Sequence, residues 1–137
     1  PRRSSMNVRI ATAVALCAVS AFATAQTMSK AEYDAAKERI EMNYKTAKKA
    51  CDAMKDNAKD VCQEEAKGTE RVDKAALEQQ YKASPDNARK LEKAKADSAY
   101  DIAKEKCEDQ TGDAQKVCKA DAKAEHERAL KAAKGKT

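Results

Sequence analysis

The residues best able to do chemistry in this chain are its cysteines, four of which form a spaced pattern. Cys51 and Cys62 lie eleven positions apart, and Cys107 and Cys118 repeat that spacing. Cysteine metal sites favour ligands two to four residues apart or the company of histidine, and redox catalysis favours Cys-x-x-Cys near a βαβ pattern. The spacing therefore predicts two structural disulfides, Cys51–Cys62 and Cys107–Cys118, with no metal or cofactor.

The other chemistry-bearing residues are few. The single histidine, His126, stands between two glutamates, a setting typical of a solvated helix residue rather than a general base. Three glycines cannot supply a glycine-rich phosphate loop, and no serine or cysteine stands in a nucleophile motif. The sequence therefore predicts no catalytic residues and no enzyme. Core packing, rather than a ligand platform, is the expected role of the four tyrosines: Tyr33, Tyr44, Tyr81 and Tyr100.

Lysines cluster around both cysteine pairs and are the remaining candidates for a binding surface. The usual meaning of such a cluster is a solvated face, and the alternative is contact with an acidic envelope polymer or lipid headgroups. The clusters are Lys45, Lys48, Lys49, Lys55 and Lys59 around the first pair, and Lys104, Lys106, Lys116 and Lys119 around the second.

An internal repeat positions these residues. A shift of 56 residues superposes Cys51 on Cys107 and Cys62 on Cys118, together with eight further identical residues between positions 37 and 67. Ten ungapped identities indicate duplication of one unit. We predict unit one over residues 26–83 and unit two over residues 84–137.

Each unit carries the local signals of helices. Ala, Glu, Lys, Leu and Arg dominate the composition, which favours helix. Ser29 and Glu32 have the spacing of a capping box, and Ser84-Pro85 has the pattern of a helix start. Acid-then-base pairs four residues apart support the helices further. These pairs are Glu41–Lys45, Glu70–Lys74, Glu78–Lys82, Asp86–Lys90 and Glu127–Lys131.

The cysteine spacing decides whether each unit turns. One straight helix from Cys51 to Cys62 would separate their Cα atoms by about 16 Å, whereas a disulfide tolerates about 4.4–6.8 Å. Disulfides within a unit thus require reversals, which we place at Asp56-Asn57 and Gly112-Asp113. The predicted fold is all-α, with two tandem disulfide-clamped antiparallel helical hairpins.

Several architectural points stay open. A four-helix bundle and two separate hairpins both fit the sequence, and the oligomeric state is undetermined. A long coiled coil with reduced cysteines is the alternative fold. The core is thin in either case, since residues 26–137 contain only eight Leu, Ile, Val or Phe. Disulfides offset such a deficit in small scaffolds.

The segment before the repeat predicts export. From Met6, Arg9 supplies a basic start, and residues 10–23 supply an apolar stretch too short to span a membrane. Small residues at the end of this stretch predict cleavage between Ala25 and Gln26. The alternative is a retained anchor helix.

Cleavage would change the charge of the chain. The removed segment, residues 1–25, holds three arginines and no acid, so the net charge would fall from +5 to +2. A nearly balanced charge disfavours a nucleic-acid partner. No stable membrane span is expected after cleavage, and the even number of remaining cysteines suits disulfides in an exported protein.

The segments KAEYDAAKERIEMNYKTAKKACDAMKDNAKDVCQEEAKG and YDIAKEKCEDQTGDAQKVCKADAKA resemble small exported proteins of Gram-negative bacteria. These share the tandem cysteine unit and are often labelled TolA-like cell envelope biogenesis proteins. The likeness to TolA itself is compositional, and it carries over no catalytic residue.

The sequence and this resemblance together imply a non-enzymatic interaction or spacer protein of the cell envelope, periplasmic or secreted. Its partner would be an envelope protein or an acidic envelope polymer. A periplasmic stress holdase and a polyanion- or metal-binding module are the two alternatives. A holdase requires exposed apolar patches beside charge.

Overall fold

The computed structural model describes residues 27–135, so the predicted signal peptide and its cleavage site at Ala25–Gln26 lie outside the described residues. The described chain is helical except for short turns. A 3-10 turn, Cys107–Asp109, follows the third helix. The helices are α1 Lys30–Cys51, α2 Asp56–Tyr81, α3 Pro85–Lys106 and α4 Gly112–Lys134.

The predicted helix starts are confirmed. Ser29 accepts a hydrogen bond from the Glu32 amide at 3.2 Å, and Glu32 accepts one from the Ser29 amide at 2.8 Å. These reciprocal bonds form the capping box of α1. They also lower the pKa of Glu32, the bond from the Ser29 amide contributing most. Ser84 caps α3 by accepting from the Asn87 amide, and Pro85 is its first residue.

Each helix packs antiparallel on its neighbour in the chain. Tyr33 of α1 stacks on Tyr81 of α2 with ring centroids 4.5 Å apart, so the start of α1 lies beside the end of α2. The Asn57 amide of α2 donates to the Glu105 carbonyl of α3 at 2.9 Å, so α2 and α3 also run antiparallel along their length. Packing of α2 on α3 is the most extensive in the molecule. The two hairpins therefore pack together as a bundle in chain order, a point that the sequence left open.

The outer and inner helices differ in how much they bury. α1 packs mainly on α2, and α4 packs mainly on α3, whereas each inner helix contacts two neighbours. α2 and α3 each pack through two faces, one against the partner helix of the hairpin and one against the other hairpin. The residues buried along the described chain are small apart from one leucine: Cys51, Ala66, Gly68, Leu77, Ala94, Ala96, Ser98, Cys107 and Ala133.

The reversals fall at equivalent places in the two units. Asp56 has φ 51° and Gly112 has φ 62°, and these residues lie 56 positions apart at the first position of α2 and of α4. The left-handed residue of unit one is therefore Asp56, whereas we expected Asn57 to adopt that conformation. Asn57 is already helical, and its side chain holds the end of α3.

This geometry predicts a different cost of substitution at the two turns. A Cβ atom disfavours positive φ by roughly 1–2 kcal/mol, so Gly112→Ala should lower the free energy of unfolding by about 1 kcal/mol. Asp56→Gly should stay within about 0.5 kcal/mol of the parent, because relieved strain offsets the greater freedom of glycine in the unfolded chain. Urea unfolding measures both changes.

Gly135 supplies the matched control for this experiment. Its φ is −82°, which any residue adopts. Gly135→Ala should therefore not destabilise the protein. Equal losses from Gly112→Ala and Gly135→Ala would show that positive φ at residue 112 is not what stabilises the turn.

Candidate functional site

Both disulfides form within units, as the cysteine spacing predicted. The Cα atoms of Cys51 and Cys62 are 5.6 Å apart, and those of Cys107 and Cys118 are 5.7 Å apart. Because α2 begins where α3 ends, both bridges lie at the same end of the molecule. We call residues 51–62 and 107–118 the clamped end.

The disulfides determine what chemistry these cysteines can perform. Their sulfur atoms are bonded to each other, so they offer no thiolate to a metal or an electrophile. Cys51 and Cys107 are also buried, at 0% and 1% exposure. Within residues 27–135, no three His, Cys, Asp or Glu side chains converge as a metal site. The clamped end is consequently a rigid, covalently fixed surface.

Four of the nine lysines in the predicted clusters pair with acids at or beside the clamped end. Lys59 pairs with Asp52 at 3.3 Å, and Lys106 of α3 pairs with Glu65 of α2 at 2.9 Å. In unit two, Lys116 pairs with Asp113 at 3.2 Å and Lys119 with Glu108 at 2.7 Å. The clamped end therefore presents mixed charge rather than a continuous basic patch.

Each hairpin also has a shallow, open groove between its helices. The groove of unit one has a volume of about 380 Å³ and that of unit two about 350 Å³. Their linings correspond through the repeat, with Tyr44, Ala47 and Ala66 in one and Tyr100, Ala103 and Ala122 in the other. Small alanine side chains from both helices therefore line the groove of each hairpin.

The tyrosines contact the chain's own side chains. Tyr33 stacks on Tyr81 and its hydroxyl bonds to Glu78. Tyr100 stacks on His126 with centroids 4.8 Å apart. Tyr44 lines the groove of unit one, and the Lys48 ammonium lies 5.9 Å from the centroid of its ring. Three of the four rings therefore stack on a ring of a neighbouring helix, and all four tyrosines are half-buried rather than part of a closed core.

His126 does not behave as the solvated residue that its sequence neighbours suggested. Its side chain is 20% exposed, and its Nε2 lies 2.7 Å from Oδ1 of Asp97 across the α3–α4 interface. The stack on Tyr100 completes its surroundings. A flanking pair of glutamates was a poor guide, because the helix turns His126 inward while Glu125 and Glu127 stay exposed.

Unit one differs at the equivalent place. A shift of 56 brings Glu41 to the position of Asp97 and Glu70 to that of His126. Lys74 bonds to Glu70 at 2.7 Å, which is the main reason that the pKa of Lys74 is raised, and Glu41 adds to this rise. The two units have therefore diverged. In unit one Lys74 interacts with acids of both helices, and in unit two a histidine–aspartate pair connects the two helices.

Asp97 should make the stability of the fold depend on pH. Partial burial, the largest single influence, acts to raise its pKa, but hydrogen bonds from Lys93 and His126 outweigh it and lower the pKa. A lowered folded-state pKa stabilises the fold above the ordinary pKa of about 3.9, and the stabilisation is lost as the pH falls through the folded-state pKa. Asp97→Asn should cost about 1 kcal/mol at pH 7 and much less near pH 2.

Unfolding of Asp97→Asn and the parent at both pH values tests this. Asp121→Asn is the matched control, because Asp121 is an exposed aspartate on α4 without a salt bridge within residues 27–135. A loss at pH 7 shared by the control, or the absence of any loss, would contradict a stabilising role for the Asp97–His126 pair.

Sequence reasoning missed the contact that joins the units. Ser98 donates its hydroxyl hydrogen to the Gly68 carbonyl at 3.2 Å, and both residues are buried where α2 meets α3. A usable signal existed: Gly68 is a glycine inside an otherwise strongly helical segment, which indicates close packing when no turn is needed.

Among the described residues, no helix is long and apolar enough to cross a membrane. No protein-family model matches this chain. No curated protein and no solved structure matches it either. The candidate functional surface is therefore defined by its own geometry: a disulfide-fixed end of mixed charge on a four-helix body.

Proposed function

We propose that this chain is a non-enzymatic helical interaction or spacer protein of the cell envelope, working in the periplasm after its signal peptide is removed. The observation that carries the proposal is the rigid, charged clamped end. Two disulfides fix it, and lasting disulfides belong to oxidising compartments such as the periplasm.

The dimensions of the body suit a spacer. α2 has 26 residues, which at 1.5 Å each gives a length of about 39 Å. The disulfides close each hairpin at one end, and contacts between α2 and α3 hold the two hairpins together. Such a body would present charged helix faces to an envelope protein at a set distance.

The holdase alternative has less support in the surface. A holdase binds clients through contiguous exposed apolar area. The large hydrophobic side chains exposed within residues 27–135 are Met42, Met54 and Val117, and they lie on three different segments. Mixed charge at the clamped end likewise favours a protein partner with its own charged groups over a uniform polyanion.

A photo-crosslinking residue at position 55 tests the proposal in living cells. Lys55 is exposed at the clamped end, and Ala83, exposed at the opposite end, is the matched control position. We expect one discrete adduct in the periplasm from position 55 and none from position 83. If no exposed position of the clamped end forms an adduct, the result would count against the proposal. Suppression of client aggregation by the pure protein would favour the holdase.

A further inference from the structure

The two inner helices, α2 and α3, pack on each other through faces whose equivalents in the repeat lie on the outer helices, α4 and α1. On α2 this face runs through Asn57, Val61, Gly68 and Arg71, and it packs on α3. On α3 the opposing residues include Ser98, Asp101 and Glu105. These seven residues are buried or half-buried. The face exists because each inner helix has a second neighbour.

A shift of 56 residues transfers this face to α4 and α1, where that neighbour is lacking. The α4 stripe comprises Asp113, Val117, Ala124 and Glu127. The α1 stripe comprises Met42, Lys45 and Lys49. All seven residues are exposed, in contrast to their partners in the repeat. The outer helices therefore carry copies of a packing face with nothing from within residues 27–135 packed along it.

The exposed large hydrophobic residues point to these stripes. Met42 is 65% exposed and Val117 is 59% exposed, the highest values among the large hydrophobic residues of the described chain. Met42 is the counterpart of buried Ser98, and Val117 is the counterpart of half-buried Val61. Two outlying hydrophobic side chains thus occupy the positions that the inner helices bury.

The charges of the two stripes are complementary in the register of the inner interface. Arg71 of α2 pairs with Asp101 of α3 at 2.9 Å, and the equivalent residues are Glu127 on α4 and Lys45 on α1. The signs are exchanged, but they remain opposite.

Two further pairs of positions correspond in the same register, although the hydrogen bonds of the inner interface have no donor there. Asn57 donates to the main-chain carbonyl of Glu105; the equivalent residues, Asp113 and Lys49, could not form that bond, but their side chains carry opposite charges. The Gly68–Ser98 contact maps onto Ala124 and Met42, a small residue against a large one.

Three of the four charges that would meet are not paired elsewhere on the described body, whereas Asp113 pairs with Lys116 at 3.2 Å. Within residues 27–135, neither Lys45 nor Lys49 forms a salt bridge, and Glu127 forms none either. Two of the acid–base pairs expected four residues apart, Glu41–Lys45 and Glu127–Lys131, are likewise not formed there. Glu70–Lys74 and Asp86–Lys90 do form, at 2.7 and 2.6 Å.

We propose that α4 of one copy packs antiparallel on α1 of a second copy, as α2 packs on α3. The occupant is this chain itself, because duplication made both faces and left them with opposite charges in matching register. The contact is heterologous, so it adds copies head to tail in the manner of repeat arrays. The inference concerns self-association and goes beyond the proposed envelope partner.

Sedimentation velocity over a concentration series at low salt tests the inference with the purified, disulfide-bonded chain. The parent should associate with rising concentration. Lys45→Glu and Glu127→Lys should each weaken association by at least about tenfold, because like charges then face each other. Lys37→Glu, an exposed α1 lysine outside the stripe, is the matched control and should leave association unchanged.

Mixing the two charge-reversal variants gives the decisive result. Each variant repels itself, because the α1 and α4 stripes then carry the same charge at positions 45 and 127. In the mixture, the base introduced by Glu127→Lys faces the acid introduced by Lys45→Glu, and the parental Glu127–Lys45 pairing also forms between the two variants. The mixture should therefore associate like the parent, while each variant alone does not. A symmetric dimer through α1 or through α4 would not show this pattern.

Circular dichroism of each variant checks that these exposed substitutions leave the fold intact. A monomer at every concentration would overturn the inference, as would association that the charge reversals do not change. Capture of a different protein by the stripes of a monomeric chain would overturn it as well.

Discussion

Replacing Cys51, Cys62, Cys107 and Cys118 together by alanine is expected to abolish cooperative unfolding at 37 °C. Each disulfide closes a short loop across a sequence separation of 11, a constraint on the unfolded chain worth about 3 kcal/mol. Loss of both would remove about 6 kcal/mol from a fold whose total is on the order of 5–15 kcal/mol. Four of the nine buried residues are alanines and Leu77 is the one large side chain among them, so packing cannot make up the difference.

Urea unfolding followed by circular dichroism measures this, with each pair of cysteines replaced separately as the comparison. The single-pair variants should each lose about 3 kcal/mol and still unfold cooperatively. Helix content at low temperature should fall less than stability, since the alanine-rich sequence favours helix locally. An unchanged urea midpoint in the quadruple variant would show that packing alone holds the hairpins.

Gly68→Leu is expected to separate the two hairpins at their interface. A Cβ atom at residue 68 would lie 3.1 Å from Cβ of Ser98 and 3.3 Å from Cδ1 of Ile102. The Ser98 atom is attached to the backbone of α3, so a larger side chain must push α2 and α3 apart. Overpacking of this kind costs typically about 1–3 kcal/mol, and we expect about 2–3 kcal/mol despite the gain in helix propensity.

Ala124→Leu is the matched control for Gly68→Leu. Ala124 holds the equivalent position on α4, where it is exposed, so the same side chain should change stability by no more than about 0.5 kcal/mol. Gly68→Ala should fall between the two, because a gain of about 1 kcal/mol in helix propensity offsets the crowding. Thermal unfolding at low protein concentration keeps self-association out of the comparison. Equal stability of Gly68→Leu and Ala124→Leu would contradict close packing at residue 68.

The predicted features that proved right rest on local or covalent constraints. Ser29 and Glu32 set the first helix start through bonds three residues apart, and the pattern at Ser84-Pro85 did the same for α3. The spacing of Cys51 and Cys62 excluded a straight helix between them. Such constraints can be predicted from sequence because the residues involved are near each other in the chain.

The features that the sequence did not disclose depend on which helices meet. Packing of α2 on α3 gives Gly68 and Ser98 a buried role that one apolar stripe per helix could not anticipate. The orientation of α4 on α3 places the His126 side chain against Asp97. The packing of α1 on α2 lets the Tyr33 hydroxyl donate a hydrogen bond to Glu78. The Glu78–Lys82 pair expected within α2 is not formed among the described residues. Helix rotation and neighbour order are properties of the whole bundle, and they decide these three cases.

The most direct test of the account is intact mass and non-reducing peptide mapping of the protein recovered from the native envelope fraction. We expect a chain that begins at Gln26, with Cys51 joined to Cys62 and Cys107 joined to Cys118. That result would support export and both clamps in the compartment where the protein is proposed to work. Free thiols, bridges between the units, or retention of residues 6–25 would contradict it.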